Sequence, residues 1–338
     1  MRVAVVGGGA FGTALGSHAA ASGHEVRLWV RREALAQEIN AHHTNRDYLG
    51  ETALAASLHA TADIALALAN AELVVLAVPS HTLRVQLELV APQLGAATLV
   101  CAVKGIESES LKLMPEVIGD FYRGPTAYLS GPSFALEVAR GQPTSVVVAS
   151  ADDAVAQLVQ RALSHGAFRC YRSKDVVGVE VAGALKNVYA IATGATEGMG
   201  LGHNARAAII TRGLNEMALL GLELGAHPLT FAGLAGVGDL VLTCTGELSR
   251  NRRVGVELAK GATLANVLGT RTVAEGVRTA KAAHALAEKH HVEMPILRQV
   301  YRVLYEGIGV REALSELSRR DLKPEWPDDL HPLTPKGR

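Results

Sequence analysis

The sequence predicts an α/β N-terminal domain with a doubly wound, mostly parallel sheet, followed by an all-α C-terminal domain. In the first half, short runs rich in Val and Leu alternate with segments of helical periodicity. This alternation is typical of parallel strands buried between two layers of helices. From about Val176 onward the patterns are helical and rich in Ala and Leu, without a convincing strand. We therefore assign residues 1–177 to the first domain and residues 178–322 to the second.

The individual elements follow from the same patterns. Strands are predicted at residues 2–6, 25–30, 73–78, 98–103, 127–129, 145–149 and 168–171. Helices of the first domain are predicted at residues 13–22, 32–42, 63–70, 83–90 and 152–164. Helices of the second domain are predicted at residues 179–193, 205–224, 252–259, 277–289, 295–305 and 311–316. The last segment, 323–338, carries four prolines and little periodicity, which predicts a mobile tail.

Composition excludes several classes of protein. The 33 Lys and Arg residues balance 33 Asp and Glu residues, so the charge indicates no nucleic-acid or anionic-membrane partner. Uncharged stretches contain Pro or Gly and fall short of the roughly 20 apolar residues of a membrane span. Cys101, Cys170 and Cys244 are odd in number and far apart, which indicates neither a metal site nor a disulfide framework. Free thiols, together with a strand that begins at once and leaves no room for a targeting peptide, favour the cytoplasm.

A glycine-rich segment directly follows the first predicted strand. Residues 7–12, Gly-Gly-Gly-Ala-Phe-Gly, match Gly-x-Gly-x-x-Gly and open a predicted helix, which is the context that confirms this motif. Gly7 permits the tight turn, Gly9 leaves space for a pyrophosphate, and Gly12 lets helix and strand pack closely. Free N–H groups at the helix start attract the phosphates. The segment therefore predicts a Rossmann-like domain that binds NADP(H), NAD(H) or both, and a glycine turn without a ligand is disfavoured.

Two arginines follow the second predicted strand. A site that prefers NAD places an acidic residue there for the ribose 2′-hydroxyl, whereas this chain has Arg31 and Arg32. Guanidinium groups suit a 2′-phosphate, so we expect NADPH to be accepted and favour it as the cofactor. The alternative is a solvated basic corner of the surface.

Polar loops follow three of the predicted strands, at residues 79–81, 104–105 and 131–133. Ligands of open α/β sheets bind beyond the carboxyl ends of the strands. We therefore expect Lys104, Gly131 and Ser133 to lie near a ligand, although a single lysine in such a place is usually an ordinary loop residue.

Lys186 and Asn187 interrupt the otherwise apolar helical segment 181–192. A buried charged lysine is costly without a partner. One interpretation is that its aliphatic stem lies on the surface and the amine reaches water. The other is a lysine whose pKa is lowered by its setting so that it exchanges protons. The segment alone leaves both open.

A second anion site is indicated near residue 250. Ser249 is a candidate N-cap, which puts Arg250 and Asn251 in the first turn of a helix. Free N–H groups and a guanidinium there suit a phosphate. An ordinary capped surface helix is the alternative.

The chain closely resembles the bacterial NAD(P)-dependent glycerol-3-phosphate dehydrogenases over residues 3 to about 317. The resemblance rests on the glycine motif and on segments that occur in order at residues 78–81, 103–107, 129–135, 178–180, 183–187, 204–208, 210–214, 233–240, 243–245, 249–251 and 275–277. It implies interconversion of dihydroxyacetone phosphate and sn-glycerol 3-phosphate, in a homodimer that supplies phospholipid synthesis.

The resemblance also implies roles for individual residues. Lys186 is similar to the general acid/base of the family, and Asp239 and Asn187 are candidates to orient it and the substrate hydroxyls. The positions implied to hold the substrate are Lys104, Gly131, Ser133, Lys186, Asn187, Asp239, Ser249, Arg250 and Asn251. The positions implied to contact the cofactor, beside the three motif glycines, are Ala10, Phe11, Arg31, Arg32, Lys104, Ala135, Arg250, Val273 and Glu275.

Two sites depart from the family pattern. Ala10-Phe11 replaces the usual Ser-Trp of the glycine loop, and His203 replaces an aspartate. Backbone N–H groups still reach the phosphates at the first site, and the second touches no residue assigned to chemistry. Two rival functions stay open: a related dehydrogenase of a hydroxy acid or sugar acid, and a non-catalytic protein that senses NAD(P).

Overall fold

The computed structural model describes residues 1–268, 274–322 and 325. Val273 and, except for Glu325, the predicted tail at 323–338 lie outside the described residues. The described chain forms an α/β part with one sheet and a helical part that follows it.

The N-terminal part is built on one eight-stranded sheet. Its strands are β1 Arg2–Val6, β2 Glu25–Trp29, β3 Leu58–Thr61, β4 Leu73–Leu76, β5 Thr98–Cys101, β6 Thr126–Ser130, β7 Thr144–Ala149 and β8 Phe168–Ser173. They lie in the order β3-β2-β1-β4-β5-β6-β7-β8. Neighbouring strands are parallel except β6 and β7. The carboxyl ends of β2, β1, β4, β5 and β6 therefore meet at one edge of the sheet, which confirms the doubly wound, mostly parallel α/β fold.

Helices cover both faces of the sheet. They are α1 Ala10–Ala21, α2 Glu33–His42, α3 Arg46–Leu49, α4 Ile64–Leu68, α5 Leu83–Val90, α6 Met114–Gly119, α7 Ala135–Ala139 and α8 Asp153–Leu163. Val3 and Val5 of β1 contribute to the core on one face, and Ala4 and Val6 to the core on the other. Because both faces are covered, the strands read as nearly continuous apolar runs.

The sequence missed strand β3, the edge strand beside β2. Its four residues alternate between buried and exposed or half-buried, with His59 exposed. Such a short strand, covered on one face, has a weaker apolar signal than its neighbours. The sequence also missed the short helices α3, α6 and α7, which are too brief to show a helical period.

The C-terminal part is helical, as predicted. Its helices are α9 Val176–Gly198, α10 His203–Glu223, α11 Pro228–Phe231, α12 Asp239–Thr245, α13 Arg250–Ala259, α14 Leu264–Leu268, α15 Glu275–Lys289, α16 Pro295–Tyr305 and α17 Val310–Ser318. A π-turn, Leu234–Gly238, precedes α12. The short helices α11, α12 and α14 had not been predicted. The long helices begin and end within a few residues of their predicted bounds.

Helix α9 is the centre of the helical part. By length and composition alone, it and the segment Pro228–Thr245 could each cross a membrane, but 89% of the apolar window of α9 is buried inside the fold. Val179 of α9 also packs into the core on one face of the sheet, so this helix joins the two parts.

Two glycines let α9 and α13 approach closely. A Cβ on Gly194 would lie 1.9 Å from the carbonyl oxygen of Arg252, and a Cβ on Gly255 would lie 2.0 Å from that of Ile191. Both distances are far below van der Waals contact, so any side chain there would separate the helices. The approach brings the first turn of α13 beside Asn187.

Candidate active site

The glycine segment forms the turn between β1 and α1. Gly7 has φ +123°, and a Cβ there would lie 2.4 Å from the carbonyl oxygen of Ala77. A Cβ on Gly12 would lie 2.0 Å from the carbonyl oxygen of Gly7. Both positions therefore require glycine. A Cβ on Gly9 would meet no atom within 4 Å, so this glycine borders open space.

Open space at Gly9 is where a pyrophosphate would approach. Gly9 caps α1 without a side-chain hydrogen bond, which leaves the N–H groups of the first turn, including those of Ala10 and Phe11, available to an anion. The structure thus fits a dinucleotide at this turn. Ala135 is the first residue of α7, a helix that packs against α1.

Arg31 and Arg32 follow β2 at the same edge of the sheet, and both are exposed. Arg32 is the N-cap residue of α2, and its guanidinium forms a 2.6 Å ion pair with Asp47. Within the part of the chain that the structure describes, Arg31 makes no ion pair. The two predicted 2′-phosphate ligands therefore differ: the Arg31 guanidinium has no acidic partner in the described ranges, whereas Arg32 shares its charge with a carboxylate.

Lys186 and Lys104 converge on one buried carboxylate. Lys186 Nζ donates a hydrogen bond to Asp239 Oδ1, and Lys104 Nζ lies 2.8 Å from Asp239 Oδ2. The exposed fractions of the side chains are 10% for Lys186, 16% for Lys104 and 1% for Asp239. We call these three residues the lysine–aspartate triad. Burial and pairing contradict the interpretation that Lys186 only reaches past the surface into water.

The triad brings more positive than negative charge into a buried place. Burial lowers the pKa of Lys186 to about 7, Asp239 opposes that shift, and the charge of Lys104 adds to it. The two lysines outweigh the burial of Asp239 and hold the pKa of its carboxyl below the usual value. Uncompensated buried charge is costly, so a site with two lysines and one aspartate favours an anion.

The loop after β6 completes this side of the site. Gly131 has φ +131°, and its carbonyl oxygen accepts hydrogen bonds from Lys104 Nζ at 3.4 Å and from Ser133 Oγ at 2.9 Å. A Cβ on Gly183 of α9 would lie 2.8 Å from Ser130 Oγ and 3.6 Å from Lys104 Cγ. This glycine therefore gives Lys104 the space to cross α9 toward Asp239.

Ser249, Arg250 and Asn251 lie at the start of α13. Ser249 is the N-cap, since its hydroxyl accepts a hydrogen bond from the Arg252 N–H at 3.2 Å. Arg250 follows it as an exposed residue of the first turn. Asn251 is buried instead, and its Nδ2 donates to Asn187 Oδ1 at 2.8 Å. The structure thus brings Asn187 against Asn251 and brings Asp239 against Lys186.

Residues 2–156 match the family described as NAD-dependent glycerol-3-phosphate dehydrogenase N-terminus, and residues 175–315 match the corresponding C-terminus. The chain belongs to the NAD-dependent glycerol-3-phosphate dehydrogenase family. The resemblance, the fold class and the expectation of an NAD(P)-dependent oxidoreductase are therefore confirmed.

Individual members of this dehydrogenase family align over nearly the whole chain. Glycerol-3-phosphate dehydrogenase [NAD(P)+] of Oleidesulfovibrio alaskensis is 49% identical over 330 residues, which are 96% of this chain and 100% of the relative. That of Geobacter sulfurreducens is 50% identical over 96% of this chain and 98% of its own. The crystal structure of the Coxiella burnetii glycerol-3-phosphate dehydrogenase superposes with a TM-score of 0.91, at 38% identity, over 94% and 99% of the two chains.

Glu275, a predicted cofactor ligand of this dehydrogenase fold, joins the two parts of the chain. Its Oε2 accepts from Ser80 Oγ at 2.6 Å, and its Oε1 lies 3.4 Å from the Ser80 backbone nitrogen. Glu275 is the first residue of α15, whereas Ser80 follows β4 at the sheet edge. The sequence pattern indicated a polar loop at residues 79–81 but predicted no role for Ser80.

Sequence reasoning also missed Glu180, which lies on α9 and is 2% exposed. Its Oε2 has no hydrogen-bond partner among the described residues. Burial raises its pKa to about 8, while the charge of Lys104 opposes that rise. The sequence did contain a signal for Glu180, because an acidic residue in an otherwise apolar helical segment is unusual. Thr243 was missed as well; its hydroxyl donates to the backbone oxygen of Asp239 at 2.6 Å.

Proposed function

We propose that this chain interconverts dihydroxyacetone phosphate and sn-glycerol 3-phosphate, with Lys186 as the general acid/base. The observation that carries the proposal is the buried triad of Lys104, Lys186 and Asp239 at the edge of the sheet where ligands of this fold bind. A lysine with a lowered pKa beside such an edge is suited to proton exchange near neutral pH.

The residues would divide the chemistry as follows. The glycine turn and Glu275 would hold NAD(P)H, which would supply the hydride. Lys186 Nζ donates a proton to the oxygen of the reacting carbon during reduction and accepts that proton during oxidation. Asp239 holds Lys186 in place, and its charge keeps part of the amine population protonated. Lys104 adds positive charge where negative charge develops on the substrate oxygen.

The phosphate of the substrate would be bound by the start of α13. Free N–H groups after Ser249, the positive end of the helix dipole and the exposed Arg250 all favour a dianion. Lys104, Gly131, Ser133 and Asn187 are proposed to hold the remaining polar groups, and Asn251 donates a hydrogen bond to Asn187. This second cationic group favours a phosphorylated substrate over the bare carboxylate of a hydroxy-acid dehydrogenase.

Turnover tests the proposal directly. The purified chain is expected to oxidise NADPH when dihydroxyacetone phosphate is added, and to be far slower with a 2-keto acid of similar size. Loss of NADPH absorbance against time, with each substrate in turn, measures the difference. Faster turnover of the keto acid would favour the hydroxy-acid alternative, and no turnover of either would favour a protein that only senses NAD(P).

Replacing Arg31 and Arg32 together with alanine is expected to raise the KM for NADPH about tenfold more than the KM for NADH. Only NADPH carries the 2′-phosphate, and a guanidinium–phosphate hydrogen bond contributes about 1.5–3 kcal/mol before solvent screening. Because Arg32 is already paired with Asp47, Arg31→Ala alone should produce most of the change.

Arg46→Ala is the matched control for this pair. Arg46 is exposed in the same region, and its guanidinium pairs with Glu51 at 2.9 Å. The substitution therefore removes an arginine without changing the proposed 2′-phosphate site. Equal weakening of NADPH and NADH in the double variant would show that the two arginines serve the fold or the shared part of the cofactor.

We further propose the location, the oligomeric state, the domain bounds and the metabolic role that the sequence indicated. The chain would act in the cytoplasm as a homodimer without a membrane span, with residues 1–177 as the dinucleotide domain and 178–322 as the substrate domain. Reduction of dihydroxyacetone phosphate would supply glycerol 3-phosphate for phospholipid synthesis.

A further inference from the structure

Asn251 connects two helices through both ends of its amide. Its Oδ1 accepts the backbone N–H of Gly276 at 2.9 Å, and its Nδ2 donates to Asn187 Oδ1 at 2.8 Å. Asn251 and Asn187 are 8% and 7% exposed. We call Asn187, Asn251 and Gly276 the amide chain. It links α9, α13 and α15.

The direction of every hydrogen bond in the amide chain follows from its one backbone member. The Gly276 N–H can only donate, so the oxygen of the Asn251 amide must face it. The NH₂ group of Asn251 then faces Asn187, whose oxygen must accept. The NH₂ group of Asn187 is left without a hydrogen bond to any described residue. Asn187 therefore presents donors, not an acceptor, to whatever lies beside it.

The contact is too tight for this arrangement to be incidental. A Cβ on Gly276 would lie 2.5 Å from the backbone carbonyl oxygen of Asn187 and 2.8 Å from the side-chain oxygen Oδ1 of Asn251. The next residue toward the N-terminus, Glu275, is held by Ser80. The amide chain thus ends beside the residue that joins α15 to the sheet edge, on the side proposed for the cofactor.

We infer that Asn251 is a positioning residue, which orients the Asn187 amide so that its NH₂ group donates to an oxygen of the bound substrate. This inference rests on the proposed function and assigns Asn251 a different part in it: Asn251 acts through Asn187. A donor suits the carbonyl of the ketone and the alkoxide that forms from it. A rotated amide would turn an oxygen toward that developing negative charge.

A double-mutant cycle on kcat tests the inference. Asn251→Ala frees the Asn187 amide to rotate and is expected to lower kcat about tenfold, the size of one lost hydrogen bond. Asn187→Ala removes the donor itself. If Asn251 acts through Asn187, adding Asn251→Ala to Asn187→Ala lowers kcat no further. Multiplication of the two losses would overturn the inference, because Asn251 would then act on the substrate or the fold by itself.

Asn251→Asp keeps the cycle informative if the alanine variant folds poorly. Aspartate has nearly the same shape and still accepts the Gly276 N–H, but it cannot donate to Asn187. Its loss of kcat should shrink in the Asn187→Ala background to the part that the added negative charge causes, and a loss of equal size in both backgrounds would contradict the inference. Asn266→Ala, an exposed asparagine on α14, is the control and should leave kcat unchanged.

Wild-type turnover separates this inference from the proposed function. A wild-type chain that does not turn over dihydroxyacetone phosphate with NADPH contradicts both. A wild-type chain that does so, with independent losses in the two asparagine variants, contradicts the role of Asn251 alone.

Discussion

Replacing Lys186 with methionine is expected to lower kcat by about 10²–10⁴-fold, the usual contribution of a general acid/base. Methionine has nearly the length of lysine and carries no exchangeable proton. Because Asp239 keeps its 2.8 Å contact with Lys104, its buried carboxylate is not left without a cation in the variant. The Kd for NADPH should therefore change little, and loss of activity should not reflect unfolding.

Lys289→Met is the matched control, since it removes an exposed lysine from the last turn of α15. It should retain wild-type kcat. Thermal unfolding of both variants measures whether the fold survives. A Lys186→Met chain with near-normal kcat would refute the assignment of this lysine to proton transfer.

The same assignment determines the pH profiles. Burial lowers the pKa of Lys186, so the amine titrates near neutral pH. Reduction needs the protonated form, and kcat/KM for dihydroxyacetone phosphate should be constant below that pKa and fall as pH rises through it. Oxidation needs the neutral amine, so kcat/KM for glycerol 3-phosphate should fall as pH decreases through the same pKa. Both limbs should be absent from the residual activity of Lys186→Met.

Arg250→Ala is expected to lower kcat/KM for dihydroxyacetone phosphate by roughly one to two decades. A hydrogen bond to a charged group contributes about 1.5–3 kcal/mol, and the loss appears as weaker transition-state binding. The discriminating substrate is dihydroxyacetone, which has no phosphate. The weak rate of the variant on this neutral ketone should remain close to that of the wild type.

Arg253→Ala is the control for the loss of one positive charge from α13. Arg253 is exposed on the same helix, one turn after the cap, and its removal changes the net charge equally. If both arginine variants lost the same activity, the effect would be electrostatic attraction of the anion and not a direct contact. If Arg250→Ala lowered both ketone rates by one factor, Arg250 would serve the cofactor or the fold, and Lys104 would be the next candidate for the phosphate.

Elements with a strong local pattern were predictable. The glycine motif lies between a strand and a helix because three glycines and their neighbours dictate that turn, and the structure has it at residues 7–12. Helices α5 and α16 begin and end where periodicity predicted. Edge strand β3 was not predictable because only four residues, covered on one face, carry its signal.

The state of Lys186 is an intermediate case. The sequence shows a lysine in an apolar helix but does not show whether its amine is buried or reaches water. The answer depends on Asp239, 53 residues away in the chain, and on Lys104, which is brought from the sheet edge. Glu180 differs in that its Oε2 has no hydrogen-bond partner among the residues that the structure describes, and burial raises its pKa.

The sequence by itself determined the α/β and all-α division, the dinucleotide motif and the residues that carry the family resemblance, because these depend on local order along the chain. Only the tertiary structure decided which of those residues meet. It buried Lys186 against Asp239, paired Arg32 with Asp47 while giving Arg31 no ion pair among the described residues, and placed Asn251 between Asn187 and Gly276. Hydrogen-bond direction and pKa are set by groups distant in sequence, so no local pattern contains them.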